Sequence, residues 1–177
     1  MVNIFLRLTV CVSGFQDKLL RFPNDLSTDN YLIMKPDFSA VQREISICSW
    51  LKIDFDYTPY SSRFAAPWFS YAVEADYDYS DNTILLGVEY FHLVNSAGIR
   101  YGMSMPITIM RDEWYHFCFT WKFGSADVYV NGVSVLFDEQ RDVRGQIPLG
   151  GTLVLGQDQD GLGWFGVYEQ GGSFAGN

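Results

Sequence analysis

Two histidines and three cysteines in 177 residues leave little room for several chemistries. The cysteines, at 11, 48 and 118, form no CxxC, and no HExxH occurs, so the sequence holds no convincing zinc site. GxSxG, the P-loop and the Rossmann fingerprint are missing as well. No stretch approaches the roughly 20 apolar residues that a membrane-spanning helix needs. Long apolar patterns of helical period are absent. Positive charge is scarce: 12 Lys and Arg stand against 21 Asp and Glu, a formal charge of −9. An acidic surface repels phosphate backbones, which argues against nucleic acid and favours a cation or a cationic ligand.

Apolar and aromatic residues are plentiful. The chain is 48% hydrophobic and 17% aromatic, enough to bury a sizeable core, and its length fits one domain. Short β-branched and aromatic runs recur between Gly, Pro, Asn and Asp. Tyr31 to Met34, Ile45 to Ile53, Thr83 to Val88, Ile107 to Met110, Trp114 to Trp121 and Thr152 to Leu155 read as strands. Within Trp114 to Trp121, Tyr115, Phe117, Phe119 and Trp121 point one way, and Trp114, His116, Cys118 and Thr120 the other. Both faces are mostly apolar, as in a central strand. Val128 to Leu136 reads as a hairpin, because Asn131-Gly132 supplies the positive φ angles of a type I′ turn. Many short strands with turn signals between them argue a β-sandwich or jelly roll.

Met1 to Gly14 is an apolar run ending in Val12-Ser13-Gly14, a passable cleavage site, although Arg7 interrupts it and no basic residue precedes it. A signal segment, an irregular start and a first strand are all open readings. Cleavage there would remove Cys11 and leave an even pair. Cys48 and Cys118 sit in two of the strongest strands; a bridge or two buried free thiols would both fit, and in an extracellular protein the bridge is favoured.

Gly150 to Gly161 runs from a strand into a glycine-flanked loop, where Gln157, Asp158, Gln159 and Asp160 alternate carboxamides with carboxylates. Calcium takes six to eight oxygens of these kinds. The same residues also build ordinary solvated turns. A second acidic stretch, Glu74 to Asn82, precedes the apolar run from Thr83, and Glu169 and Gln170 follow in a glycine-rich segment.

Taken in order, Ile47-Cys48-Ser49-Trp50-Leu51, His116-Phe117-Cys118-Phe119-Thr120-Trp121, Val130-Asn131-Gly132 and Gly151 to Asp160 resemble the pentraxins, a secreted, calcium-dependent, lectin-like family. His-x-Cys-x-Thr-Trp is close to the family signature, and Leu-Val-Leu-Gly-Gln-Asp-Gln-Asp is specific too. The likeness covers about Phe15 to Asn177. It implies an all-β, antiparallel two-sheet jelly-roll sandwich of the concanavalin A/laminin-G type. It implies calcium ligation by Asp81 and Asn82, by Asp158 in place of the usual Glu, by the Gln159 carbonyl and by Asp160 bridging two ions. Glu169 would support the second ion. Gln170 is the nearest substitute for the family's following Gln, since strict alignment puts Gly172 there. The ligands implied are phosphate-bearing or carbohydrate groups, bound without catalysis, and the implied setting is extracellular innate-immune recognition by a homo-oligomer, a pentamer in the family.

Two departures matter. Phosphocholine-binding members carry an aromatic residue where this chain has Gly87, so that specificity does not follow. Trp164 and Phe165, in a lengthened loop, offer another stacking surface for a sugar or quaternary amine, or simply core or subunit packing. The chain stops at Asn177, where the family continues with closing strands and a helix; residues 15–177 therefore read as a domain incomplete at its C-terminal end. A laminin-G-like adhesion module is the nearest alternative. A jelly-roll glycosidase is weaker: Glu74-Ala75-Asp76 lacks the third member of Glu-x-Asp-x-x-Glu, and His92 and His116 read as packed or surface groups.

Overall fold

The computed structural model describes residues 2–4, 20–22, 31–35, 44–52, 67–74, 82–95, 97–122, 125–135, 145–148 and 150–159. Twelve strands occur among them: β1 Val2–Ile4, β2 Leu20–Phe22, β3 Leu32–Met34, β4 Glu44–Lys52, β5 Pro67–Ala72, β6 Ile84–Gly87, β7 Tyr90–Val94, β8 Arg100–Ser104, β9 Trp114–Lys122, β10 Ser125–Val130, β11 Val133–Ser134 and β12 Thr152–Leu155. They form a four-stranded sheet in the order β11-β10-β9-β4 and a six-stranded sheet in the order β3-β12-β5-β6-β7-β8, with β1 and β2 pairing separately. Every pairing is antiparallel. The molecule is an all-β jelly-roll sandwich.

The two long sheets meet through side chains selected by the two-residue period of a strand. Ile47 and Leu51 of β4 and Phe117, Phe119 and Trp121 of β9 are buried on one side. Phe69, Tyr71, Ile84, Leu86, Phe91, Leu93, Leu153 and Leu155 line the other. The Phe91 and Phe119 rings lie 5.5 Å apart across this gap, and Phe91 also packs on Tyr101 at 5.4 Å. Tyr115 packs against the same cluster, so the inward face read for Trp114 to Trp121 is the one observed. At the far end of β9 and β10, Asn131 and Gly132 adopt φ of 51° and 81°, the left-handed pair that a tight hairpin demands.

Ile107 to Met110 differs from the strand expected there. Residues 105–110 carry no ladder. Pro106 has no N–H to donate, and the Ile107 amide turns back to the Met105 carbonyl at 2.9 Å. The apolar alternation survives for packing alone, with Met105 and Ile109 still buried.

Cys48 and Cys118 are direct cross-strand partners on the outer face of the four-stranded sheet, and they are joined in a disulfide. The bridge spans 70 residues of sequence. In the chain-entropy description such a closure stabilises the fold by about 4 kcal/mol. The two sulfurs and an imidazole nitrogen of His116 all lie within 4.8 Å of one another. Both sulfurs are committed to the bridge, so the trio lacks the thiolates that a metal would need. Cys11 lies outside the described residues.

Candidate functional site

The six-stranded sheet carries one continuous row of residues on its outer face. The registers align Ile33, Val154, Ser70, Leu85, His92 and Gly102 across all six strands. In an ordinary sandwich this face would meet water. Here Ser70, Leu85 and Val154 are almost completely buried. Part of the cover is the segment after β12. Gly156 donates to the Trp68 carbonyl at 3.2 Å, and the chain then folds back over the sheet. The Gln159 carboxamide, itself fully buried, donates to the Ser70 carbonyl (3.2 Å), the Ser70 hydroxyl (3.2 Å) and the Thr152 carbonyl (3.0 Å). Asp158 is half-buried, and its Oδ1 accepts the Gln159 amide at 2.8 Å. The loop is thus held by its own side chain on the strand pair it has just left.

The second segment arrives from the start of β6. Asn82 lies in a turn conformation just before that strand, and its carbonyl accepts a hydrogen bond from His92 Nδ1 at 3.1 Å. Val94 donates to the next carbonyl, that of Thr83, at 2.9 Å. The Asn82 and Gln159 segments therefore rest on one face of one sheet, the first against β7 and the second against β5 and β12. Ser70 and His92 stand two strand spacings apart, roughly 10 Å, with Leu85 between them.

Two carboxamide oxygens in this region are buried without a hydrogen-bond partner, Asn82 Oδ1 and Gln157 Oε1. A buried acceptor left unmatched costs about 1–3 kcal/mol, so such atoms are normally satisfied by something. Oxygens of this kind, like the carboxylate of Asp158, are the hard donors that a calcium ion takes. Of the residues expected in the site, Asn82, Asp158 and Gln159 are brought to one face. Asp81, Asp160, Trp164, Phe165, Glu169 and Gln170 lie outside the described residues. Gly87 closes β6 in a buried position, and the Trp68 indole donates to its carbonyl at 3.3 Å across a bulge between Pro67 and Phe69.

A family model described as the concanavalin A-like lectin/glucanases superfamily matches residues 26–170. Human pentraxin-4 is 30% identical over 165 residues, 89% of this chain and 32% of its own length. C-reactive protein 1.4 of Limulus polyphemus is 28% identical over 127 residues, 68% of this chain and 48% of its own. The native heptameric SAP-like pentraxin of Limulus polyphemus superposes with a TM-score of 0.53 at 24% identity, covering 99% of this chain and 71% of that one. The chain belongs to the concanavalin A-like superfamily and is a pentraxin-like member of it. It spans less than half the length of these curated relatives. In this pentraxin-like domain the residues given no site role in the sequence are those beneath the two segments: Ser70 and Thr152, which accept from Gln159, and His92, read there only as a packed or surface group, which donates to the Asn82 carbonyl. Ser70 did carry a signal, as the one serine in the otherwise aromatic and apolar run Trp68-Phe69-Ser70-Tyr71-Ala72. Among the described residues no helix is long and apolar enough to cross a membrane.

Proposed function

We propose that this pentraxin-like domain is a calcium-dependent recognition module that binds phosphate-bearing or carbohydrate ligands without turning them over. The observation that supports it most is the buried, unpartnered Asn82 carboxamide oxygen on the face that also carries Asp158 and the Gln159 loop. Asp81, Asp160, Glu169 and Gln170 complete the proposed ligand set, the last two serving a second ion. Bound calcium would neutralise these carboxylates and offer open coordination positions to a phosphate oxygen or to sugar hydroxyls. Trp164 and Phe165 are proposed to stack on the ligand, since Gly87 supplies no aromatic wall. The acidic composition suits a cation site, and the cross-strand disulfide suits an extracellular setting; a homo-oligomer is proposed from the pentraxin likeness alone. Isothermal titration with calcium tests the reading. An EDTA-reversible binding heat is expected in the wild type, and it should be lost in Asp158→Ala and Asn82→Ala while both unfold normally. Unchanged binding in both variants would refute the assignment. A glycan and phospholipid-headgroup array, run with and without EDTA, then identifies the ligand class.

A further inference from the structure

Asn82 offers its side-chain oxygen from a turn whose main chain is held by an imidazole. From that contact we infer that His92 is a positioning residue for Asn82, and that it sets the affinity of the site for calcium without touching the ion. The inference rests on the calcium reading above.

A carbonyl oxygen only accepts, so at 3.1 Å from Asn82 O the Nδ1 atom of His92 must carry the hydrogen. That donor and the Val94 amide grip two successive carbonyls, Asn82 and Thr83, from the same strand. The imidazole is itself confined. The Tyr90 ring lies nearly parallel to it, 10° off, with centroids 6.4 Å apart. His92 pairs across the sheet with Gly102, and a Cβ on Gly102 would stand 3.0 Å from His92 Cδ2 and 3.2 Å from the Tyr90 hydroxyl. The missing side chain at 102 is the notch that lets the ring lie where it reaches Asn82. With His92 only 9% exposed, the contact is shielded from competing water.

A turn fixed in this way presents the Asn82 oxygen before any ion arrives. Freed from the imidazole, the turn would have to be ordered at the moment of binding, and affinity would fall. Partners standing behind metal ligands typically change metal affinity by roughly 10–100-fold when removed.

The test is calcium titration of the wild type and three substitutions at position 92. His92→Leu fills similar space with no donor and should bind about tenfold more weakly or worse. His92→Asn places an amide nitrogen at the level of Nδ1 and should recover most of the loss. His92→Gln moves its amide one bond further out and should recover less. Gly102→Ala, which displaces the ring while keeping the imidazole, should also weaken binding, and it gives the answer if His92→Leu fails to fold. A readout without metal accompanies these: nitrogen-15 spectra of the calcium-free protein should show the Nδ1–H form of His92, and the Asn82 amide should exchange faster in His92→Leu. Calcium binding in His92→Leu equal to wild type, or in His92→Asn no better than in His92→Leu, would overturn the inference and leave the calcium reading standing. A wild type that takes up no calcium would overturn both.

Discussion

Replacing Gln159 by leucine tests whether the loop after β12 is truly fastened by its own side chain. Leucine keeps most of the volume and removes the carboxamide. Three acceptors that share its two N–H groups then lose them in an almost fully buried site: two main-chain carbonyls and the Ser70 hydroxyl. An orphaned buried acceptor costs about 1–3 kcal/mol, and strand carbonyls, with a second lone pair to satisfy, fall at the low end. The sum is about 2–4 kcal/mol. For a domain of this size, with a urea slope of about 2 kcal/mol/M, the midpoint should fall by about 1–2 M with the slope unchanged. Unfolding is followed with calcium chelated, so that loss of fastening is read apart from loss of the ion. Ser70→Ala removes a single acceptor and should cost about 1 kcal/mol or less. The double variant should be less destabilised than the sum, because both changes cut one shared contact. A Gln159→Leu protein within about 0.5 kcal/mol of wild type, the ordinary range for a surface substitution, would refute the reasoning.

Other consequences follow from other parts of the sandwich. Removing the bridge as Cys48→Ala with Cys118→Ala should lower stability by about 4 kcal/mol, and non-reducing peptide mapping that recovers both cysteines as thiols would contradict it. Gly151→Ala would drive a Cβ into the Ala72 carbonyl and the Tyr71 ring, while Gly151 N also donates to the Tyr71 hydroxyl at 3.1 Å. A loss of about 1–3 kcal/mol is expected in thermal melts, and an unchanged midpoint would argue against the packing described. Burial pushes the Tyr115 phenol above its ordinary value, the Glu113 carboxylate beside it adds to the rise, and the Met110 amide opposes it. The folded chain therefore keeps a proton that the unfolded chain has lost, and the associated stability is full below about pH 10 and lost as pH rises through the raised value. Tyr115→Phe should flatten the fall in denaturant midpoint above pH 10; an identical slope would count against it.

Much of the architecture could be read from local patterns because each pattern was complete within one segment. The alternation from Trp114 to Trp121 shows its inward face directly, and Asn131-Gly132 names its own turn. β5 was harder. Both of its faces are buried, so Trp68-Phe69-Ser70-Tyr71-Ala72 shows no contrast between an inner and an outer side. Tyr90 to Val94 is hidden for the same reason, with four of its five residues buried. At the site, the Asn82 turn and the Gln157-to-Asp160 loop were recognisable as motifs. The row beneath them was not, because Val154, Ser70, Leu85 and His92 become neighbours only through strand registers that no single stretch encodes. His92 reads from the sequence as a packed or surface group, and it is nearly buried; its contact with Asn82 is visible only in the fold.

The covered outer face of the larger sheet has a consequence for how this protein tolerates change. Outward positions in a sandwich usually drift freely, and on the smaller sheet Glu44 and Lys122 form an exposed ion pair of that replaceable kind. Leu85, Val154 and Ser70 also point away from the interior between the sheets, yet they are as inaccessible as that interior. A saturation-mutagenesis survey should therefore find two intolerant layers in this domain, one between its sheets and one beneath the Asn82 and Gln159 segments, so that the variation open to those segments is bounded by the floor on which they rest.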